Sequence, residues 1–295
     1  MRNAKLNMLC LGAALLGAVE LANSQENPND YLTYAIPADA QRKQISVEPD
    51  SPNQFNYYDA LNHIVAIEML GEDTKKLLER KLYKNDQLHG VQLTWYRSGS
   101  PQSSKPYRNG EMNGVFRYWD EQGHLIGCSP MLKGTGVDTV YFPNGRVKEI
   151  KEFKDNQQSG DGLLFYSSGQ LEAFTTYKDG HQVGETFLFH EDGALMVYVA
   201  DDGKGNPRGP RLEFTPEGQF ASKTFIIYVV NHTAVVSQDV YVATAQKDSS
   251  LPAFHDDPHY YIAKVPESLK QLTADYKAKK PVPIPLKDIA DDKLN

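Results

Sequence analysis

Cysteine is nearly missing from this sequence: among 295 residues only Cys10 and Cys128 carry a thiol, too few for a disulfide framework to stand in for a core. Long apolar runs are missing too. Only LNMLCLGAALLGAV, starting at Leu6 behind Arg2 and Lys5, is continuously nonpolar apart from its asparagine, and it falls short of the roughly 20 residues a membrane helix needs. It has the length of a signal-peptide core instead. With the small residues Ala22-Asn23-Ser24 ahead of Gln25, residues 1–24 read as a secretory signal, cleaved to leave an extracytoplasmic chain, periplasmic or secreted. The alternative is an uncleaved anchor, for which the run is short; lipidation of Cys10 would want small residues where Asn7-Met8-Leu9 stand. An excess of basic charge is absent as well. The 31 Lys and Arg less Arg2 and Lys5 leave 29, the 38 Asp and Glu less Glu20 leave 37, and the mature net charge is −8. A surface of that sign is not drawn to phosphate backbones or anionic lipid, which excludes nucleic acid as the expected partner and argues against membrane contact. With Cys10 gone, Cys128 stands alone and no intramolecular disulfide is expected. At 40% hydrophobic and 23% charged, the remainder is an ordinary globular composition.

What is there is a repeat. Gly99, Gly123, Gly145, Gly169, Gly193 and Gly218 follow one another at intervals of 24, 22, 24, 24 and 25 residues. Nine residues before each stands another glycine: Gly90, Gly114, Gly136, Gly160, Gly184 and Gly209. Four residues before each stands an aromatic: Trp95, Trp119, Tyr141, Phe165, Phe189 and Phe214. An apolar side chain recurs two residues after the second glycine at Leu125, Val147, Leu171, Leu195 and Phe220, with Pro101 the exception. A partial earlier copy begins near Gly71. A fixed period of this length signals stacked supersecondary units.

Local chemistry says what one unit is. SSGQ, PNGR and EDGA are turn tetrapeptides in which glycine supplies a positive φ, and YKDG and YRNG set Asp-Gly or Asn-Gly between extended runs such as LEAFTTY and ETFLFH. Each unit is therefore a β-hairpin, with the first glycine allowing a bulge or a close backbone approach. One aromatic per unit at a constant position is what a narrow sheet needs to bury anything, so the ladder is expected to be core.

The stretch YKDGHQVGETFLFHEDGAL at 177–195 resembles the MORN-variant repeat, the shortened MORN type of many secreted or envelope bacterial proteins, some of them catalogued as antitoxin-like. The resemblance covers residues 83–220 well and 58–82 weakly. It implies a mostly β fold, a single-layer meandering antiparallel sheet of about six stacked hairpins, and says little about activity. Gly136 and ADDGKGNPRGP depart from the pattern, the latter suggesting a longer loop.

The flanks divide the chain further. Residues 25–57 read as an extended leader, 58–220 as the array, and 221–295 as a last β-hairpin broken at Asn231-His232-Thr233, a short helix starting at Pro266 and an extended tail. The segment ALNHIVAIEML could be a strand or a turn of helix. Beside the ladder, Tyr96, Asp120, Phe142, Tyr166, His190 and Thr215 would project to the opposite face, and Phe142, Tyr166 and His190 form the candidate binding patch. HDDPHYY gathers His255, Asp257 and His259, metal-capable types on what reads as a proline-bent loop. Two functions follow. The first is a non-enzymatic scaffold, without cofactor, that binds another protein through its sheet; the alternative is an envelope metal-dependent hydrolase using residues 255–261, with the repeats holding substrate. Nucleophile elbow, phosphate loop and triad are all wanting, which favours the scaffold.

Overall fold

Five pairs of residues, Asn85-Asp86, Asn109-Gly110, Lys133-Gly134, Asp155-Asn156 and Asp179-Gly180, have positive φ at both positions, from +48° to +82°. That backbone is the type I′ turn, whose twist matches two antiparallel strands. Between them fall four-residue turns such as Tyr96–Gly99, closed by Gly99 N–H on Tyr96 O at 2.8 Å and flanked by Tyr96 N–H on Ser100 O at 2.9 Å. Alternation of the two turn types converts the 24-residue period into a meander of strands.

The computed structural model describes residues 32–45, 53–71, 75–201, 207–229 and 232–278. The expected signal at 1–24 and the end of the tail at 281–295 lie outside them. The chain divides into two units, breaking between Gly145 and Arg146.

The first unit holds eleven strands among the described residues: β1 (Gln41–Ile45), β2 (Asn53–Tyr58), β3 (Ile64–Leu70), β4 (Leu77–Lys84), β5 (Gln87–Leu88), β6 (Gly90–Trp95), β7 (Pro101–Arg108), β8 (Glu111–Met112), β9 (Gly114–Trp119), β10 (Leu125–Leu132) and β11 (Thr135–Tyr141). All pair antiparallel with sequence neighbours, the two-residue β5 and β8 being skipped as β4 pairs β6 and β7 pairs β9. Part of the expected leader is thus sheet, because Gln41–Ile45 pairs along its whole length with Gln54–Tyr58. ALNHIVAIEML resolves as the turn before β3 and β3 itself. At the partial copy near Gly71, Gly71 N–H bonds Lys76 O and Lys75, at φ +51°, donates its N–H to Gly71 O; residues 72–74 between them lie outside the described residues. Cys128 is half-buried in β10; Cys10, whose removal the expectation of a lone thiol assumes, lies outside the described residues.

The second unit continues with β12 (Val147–Lys154), β13 (Gln157–Phe165), β14 (Leu171–Lys178), β15 (His181–Phe189), β16 (Leu195–Asp201), β17 (Pro207–Phe214), β18 (Phe220–Val229) and β19 (His232–Val236), each antiparallel to the next. The register aligns Ile150, Leu163, Phe174, Phe187, Tyr198 and Leu212 in one cross-strand row, hence on one face. Phe165, Phe189 and Phe214 lie two residues further along their strands on the same face, and all three are buried. Trp119 is buried too, while Trp95 and Tyr141 are half-buried, so the ladder is core in this unit and partly so in the first. Gly160 shows why the first glycine of a repeat is needed: at φ +114°, an added Cβ would stand 2.2 Å from the Glu152 carboxylate.

Among the described residues three helices follow: α1 (Gln238–Ala245), α2 (Pro258–Ala263) and α3 (Glu267–Ala278). Strands β18 and β19 form the expected last hairpin, and helix α1 replaces only the far part of its second β-rich run. Its VYVATA reads as strand by propensity, but Ser237 caps the helix by accepting from Val240 N–H, and Tyr241 is fully buried against Phe225 with centroids 5.2 Å apart. Helix α2 corrects the expected loop at 255–261: Asp257 caps it and Pro258 opens it. Helix α3 is the one expected from Pro266. Tyr261 of α2 lies on Tyr198 at 4.9 Å and reaches Phe214 and Phe220, so aromatics from the helices cover the aromatic face of β16–β18.

Candidate functional site

The position after each ladder aromatic follows the last residue of a strand, so its side chain is governed by the turn and not by strand alternation. Here the structure departs from a simple outward patch. Tyr96 Oη donates to Trp119 O and Tyr166 Oη donates to Phe189 O, both at 2.8 Å, while His190 Nε2 lies 3.3 Å from Phe214 O and donates in the tautomer that protonates it. In each case the acceptor is the ladder residue of the next repeat. Turns of the same kind carry further stitches, in the first unit Ser100 Oγ to Glu121 O at 2.8 Å and Lys76 Nζ to Ser98 O at 2.9 Å, and in the second the Arg146 guanidinium to Ser168 O. The edge of two-residue turns has its own set, in which Gly110, Gly134 and Gly180 donate backbone N–H to Leu88 O, Met112 O and Gln158 O. Burial, with Glu172 and Glu191 near, holds the Tyr166 phenol above its usual range, which keeps it a donor. Phe142 belongs to the first unit; it is half-buried and its carbonyl accepts from Gly145 N–H. Tyr166 and His190 belong to the second.

The His/Asp segment is arranged by helix α2. Asp257 Oδ1 accepts from His259 N–H at 2.9 Å and lies 3.1 Å from His259 Nδ1, which holds its carboxyl below the usual range. His255 turns away, its ring stacked on Tyr260 at 3.7 Å and its backbone N–H donating to Tyr261 Oη at 2.8 Å. Asp256 pairs with Lys223. Asp257 and His259 therefore meet at a helix start and His255 does not join them; among the described residues no three His, Cys, Asp or Glu are grouped to hold a metal.

A site that the sequence reading did not single out lies on the first unit. Register puts Gln92 and Thr94 of β6, Ser103, Lys105 and Tyr107 of β7, Phe116 and Tyr118 of β9, and Gly127 and Ser129 of β10 on one face. A cleft of about 320 Å³ opens over this face, bounded also by Glu79, Lys81, Tyr96, Gln102, Trp119 and Tyr141. Beneath it Asp138 is buried, accepting from Tyr118 Oη at 2.5 Å and from Lys105 Nζ at 2.8 Å. Burial, reinforced by Asp138, drives the Tyr118 phenol far above its usual range, so it stays a donor at any physiological pH. Lys105 also sits 5.0 Å over the Phe116 ring and 5.3 Å over Tyr118. Tyr141 is seated by Gly127, where an added Cβ would fall 2.0 Å from the ring. Two signals pointed here: Asp138 interrupts the apolar strand GVDTVY, and Lys105 shares the inward parity of Ser103 and Tyr107.

Comparison with known proteins bears on the repeat. Residues 88–109 match the family described as MORN repeat variant. No curated protein matches the chain. Among solved structures, the Tc holotoxin pore of Photorhabdus luminescens aligns over 64% of this chain and 13% of that one, at 10% identity and a TM-score of 0.16, a likeness too slight to bear on fold or function. The matched segment runs from the end of one two-residue turn to the next, taking in β6, the Tyr96–Gly99 turn and β7. Residues 88–109 are a MORN-variant repeat, and the rest of the array repeats its glycine and aromatic positions.

Proposed function

We propose that this protein is a non-enzymatic scaffold, acting outside the cytoplasm, that presents its repeat sheet to another protein. The observation that carries the reading is the stitching of each repeat to the next. Tyr96, Tyr166 and His190, which could have served recognition or proton transfer, are committed to backbone carbonyls of the following repeat. Such bonds fix the spacing of successive hairpins, and a surface that is already ordered loses less entropy when a partner docks. The apolar run at residues 1–24 supports the location.

Within the unstitched positions, Phe142 is the apolar contact for a partner of the first unit. On the second unit the exposed turn Glu191-Asp192 offers acidic groups next to His190. The test is affinity capture from the native envelope fraction on the immobilised mature chain, quantified against Phe142→Ser and against Glu191→Lys/Asp192→Lys. A stoichiometric protein held by the wild type and depleted at least tenfold by one variant is the expected result. Equal capture by all three, or turnover of an envelope substrate by the purified protein, would sink the proposal.

A further inference from the structure

The cleft on the first unit has a chemistry that a protein scaffold does not require. Its charges are closed on themselves, Lys105 on Asp138 at 2.8 Å and Lys81 on Glu79 at 3.0 Å. A ligand with net charge would have to break one of these pairs and strand the other member in partial burial, whereas a neutral ligand leaves both intact. Two kinds of surface are then offered to it: the half-buried rings of Tyr107 and Tyr141 with Tyr118 buried beside them, and the Gln102 amide next to the Thr94 and Ser103 hydroxyls, which bond each other at 2.6 Å and keep lone pairs to spare. Sugars combine an apolar C–H face with a rim of hydroxyls, and so use both kinds at once.

We propose that this cleft binds a neutral saccharide, a C–H face against the tyrosines and hydroxyls on Gln102 and the neighbouring hydroxyl groups. The volume of about 320 Å³ lies at the small end of ligand sites and suits one or two sugar rings. The walls are set before binding. Tyr118 is held by Asp138 at 2.5 Å, Tyr96 by Trp119 O at 2.8 Å, and Tyr141 lies on the bare backbone of Gly127. A pocket fixed in this way orders few groups when it fills. The inference does not depend on the scaffold reading, since a protein on the turns and a sugar in the cleft can each fail alone.

The experiment is saturation-transfer NMR on the full mature chain with short neutral cello-, malto- and chito-oligosaccharides, and with uronic-acid and glucosamine oligomers as charged controls. At least one neutral series should bind. Gln102→Ala should weaken it about tenfold, the loss of one well-placed hydrogen bond, and Tyr107→Ala should weaken it more, both with near-ultraviolet dichroism like that of the wild type. If Tyr107→Ala does not fold, Gln102→Ala decides alone. The proposal is overturned by no neutral oligosaccharide binding at millimolar concentration, by charged oligomers binding more tightly than any neutral one, or by binding that Gln102→Ala leaves unchanged. It is also overturned if the cleft captures a protein that depends on Gln102 while no saccharide binds.

Discussion

At the scale of single residues, the neighbours Phe165 and Tyr166 do different work. Phe165 is completely buried, so Phe165→Ala should cost about 3–5 kcal/mol through lost contacts and the cavity left behind. Tyr166→Phe removes only the hydroxyl that reaches Phe189 O and should cost about 1 kcal/mol. Chemical denaturation of both variants checks the contrast; equal losses would mean that the stitch and the packing are not separable. The ladder was legible because its period keeps one aromatic four residues ahead of each turn glycine. The role of Tyr166 was not. Assigning it to the outer face assumed that strand alternation extends one residue past the strand end, and hydrogen bonds to a carbonyl 23 residues away leave no local trace in the sequence. The Asp138 site was hidden for a related reason: Lys105, Tyr118 and Asp138 come from three strands, and only the register brings them together.

At the scale of elements, helices α1 and α2 each set one buried tyrosine against their sheet, Tyr241 on Phe225 and Tyr261 on Tyr198. Burial pushes the Tyr241 and Tyr261 phenols up to about 12, from an ordinary value near 10. A folded-state value above the unfolded one means that the stabilisation is complete below about 10 and is lost as pH rises through about 12. Alkaline titration should therefore release the helices in that window, with tyrosinate absorbance and near-ultraviolet dichroism changing together. Tyrosine titration centred near 10 with dichroism unchanged would contradict the assignment. Hairpins were legible from Asn-Gly and Asp-Gly; less so were Asn85-Asp86, Lys133-Gly134 and Asp155-Asn156, which adopt the same turn with less typical residues. Helix α1 was read as strand because Val and Tyr favour strands, and the Ser237 cap together with burial of Tyr241 outweighed that preference.

At the scale of the whole molecule, N-terminal sequencing of the native protein should find Gln25 or a close neighbour as the first residue, in an extracytoplasmic fraction; an intact Met1 in a cytosolic pool would remove the basis for export. Such a chain would cross a membrane as an unfolded thread and fold from whichever end emerges, which gives the direction of the stitches a meaning. On the four-residue edge the donor precedes its acceptor in the chain, as Tyr96 precedes Trp119 and Tyr166 precedes Phe189. On the two-residue edge the donor comes later, as Gly110 follows Leu88 and Gly180 follows Gln158. A hairpin emerging in the N-to-C direction can thus bond backward at once through its glycine, while its forward-reaching hydroxyl waits for the hairpin still inside the translocation channel. On that route growth would be vectorial: a newly arrived repeat fastens backward first, and an array cut short just after the repeat of Tyr96, Tyr166 or His190 would end on an unanswered donor.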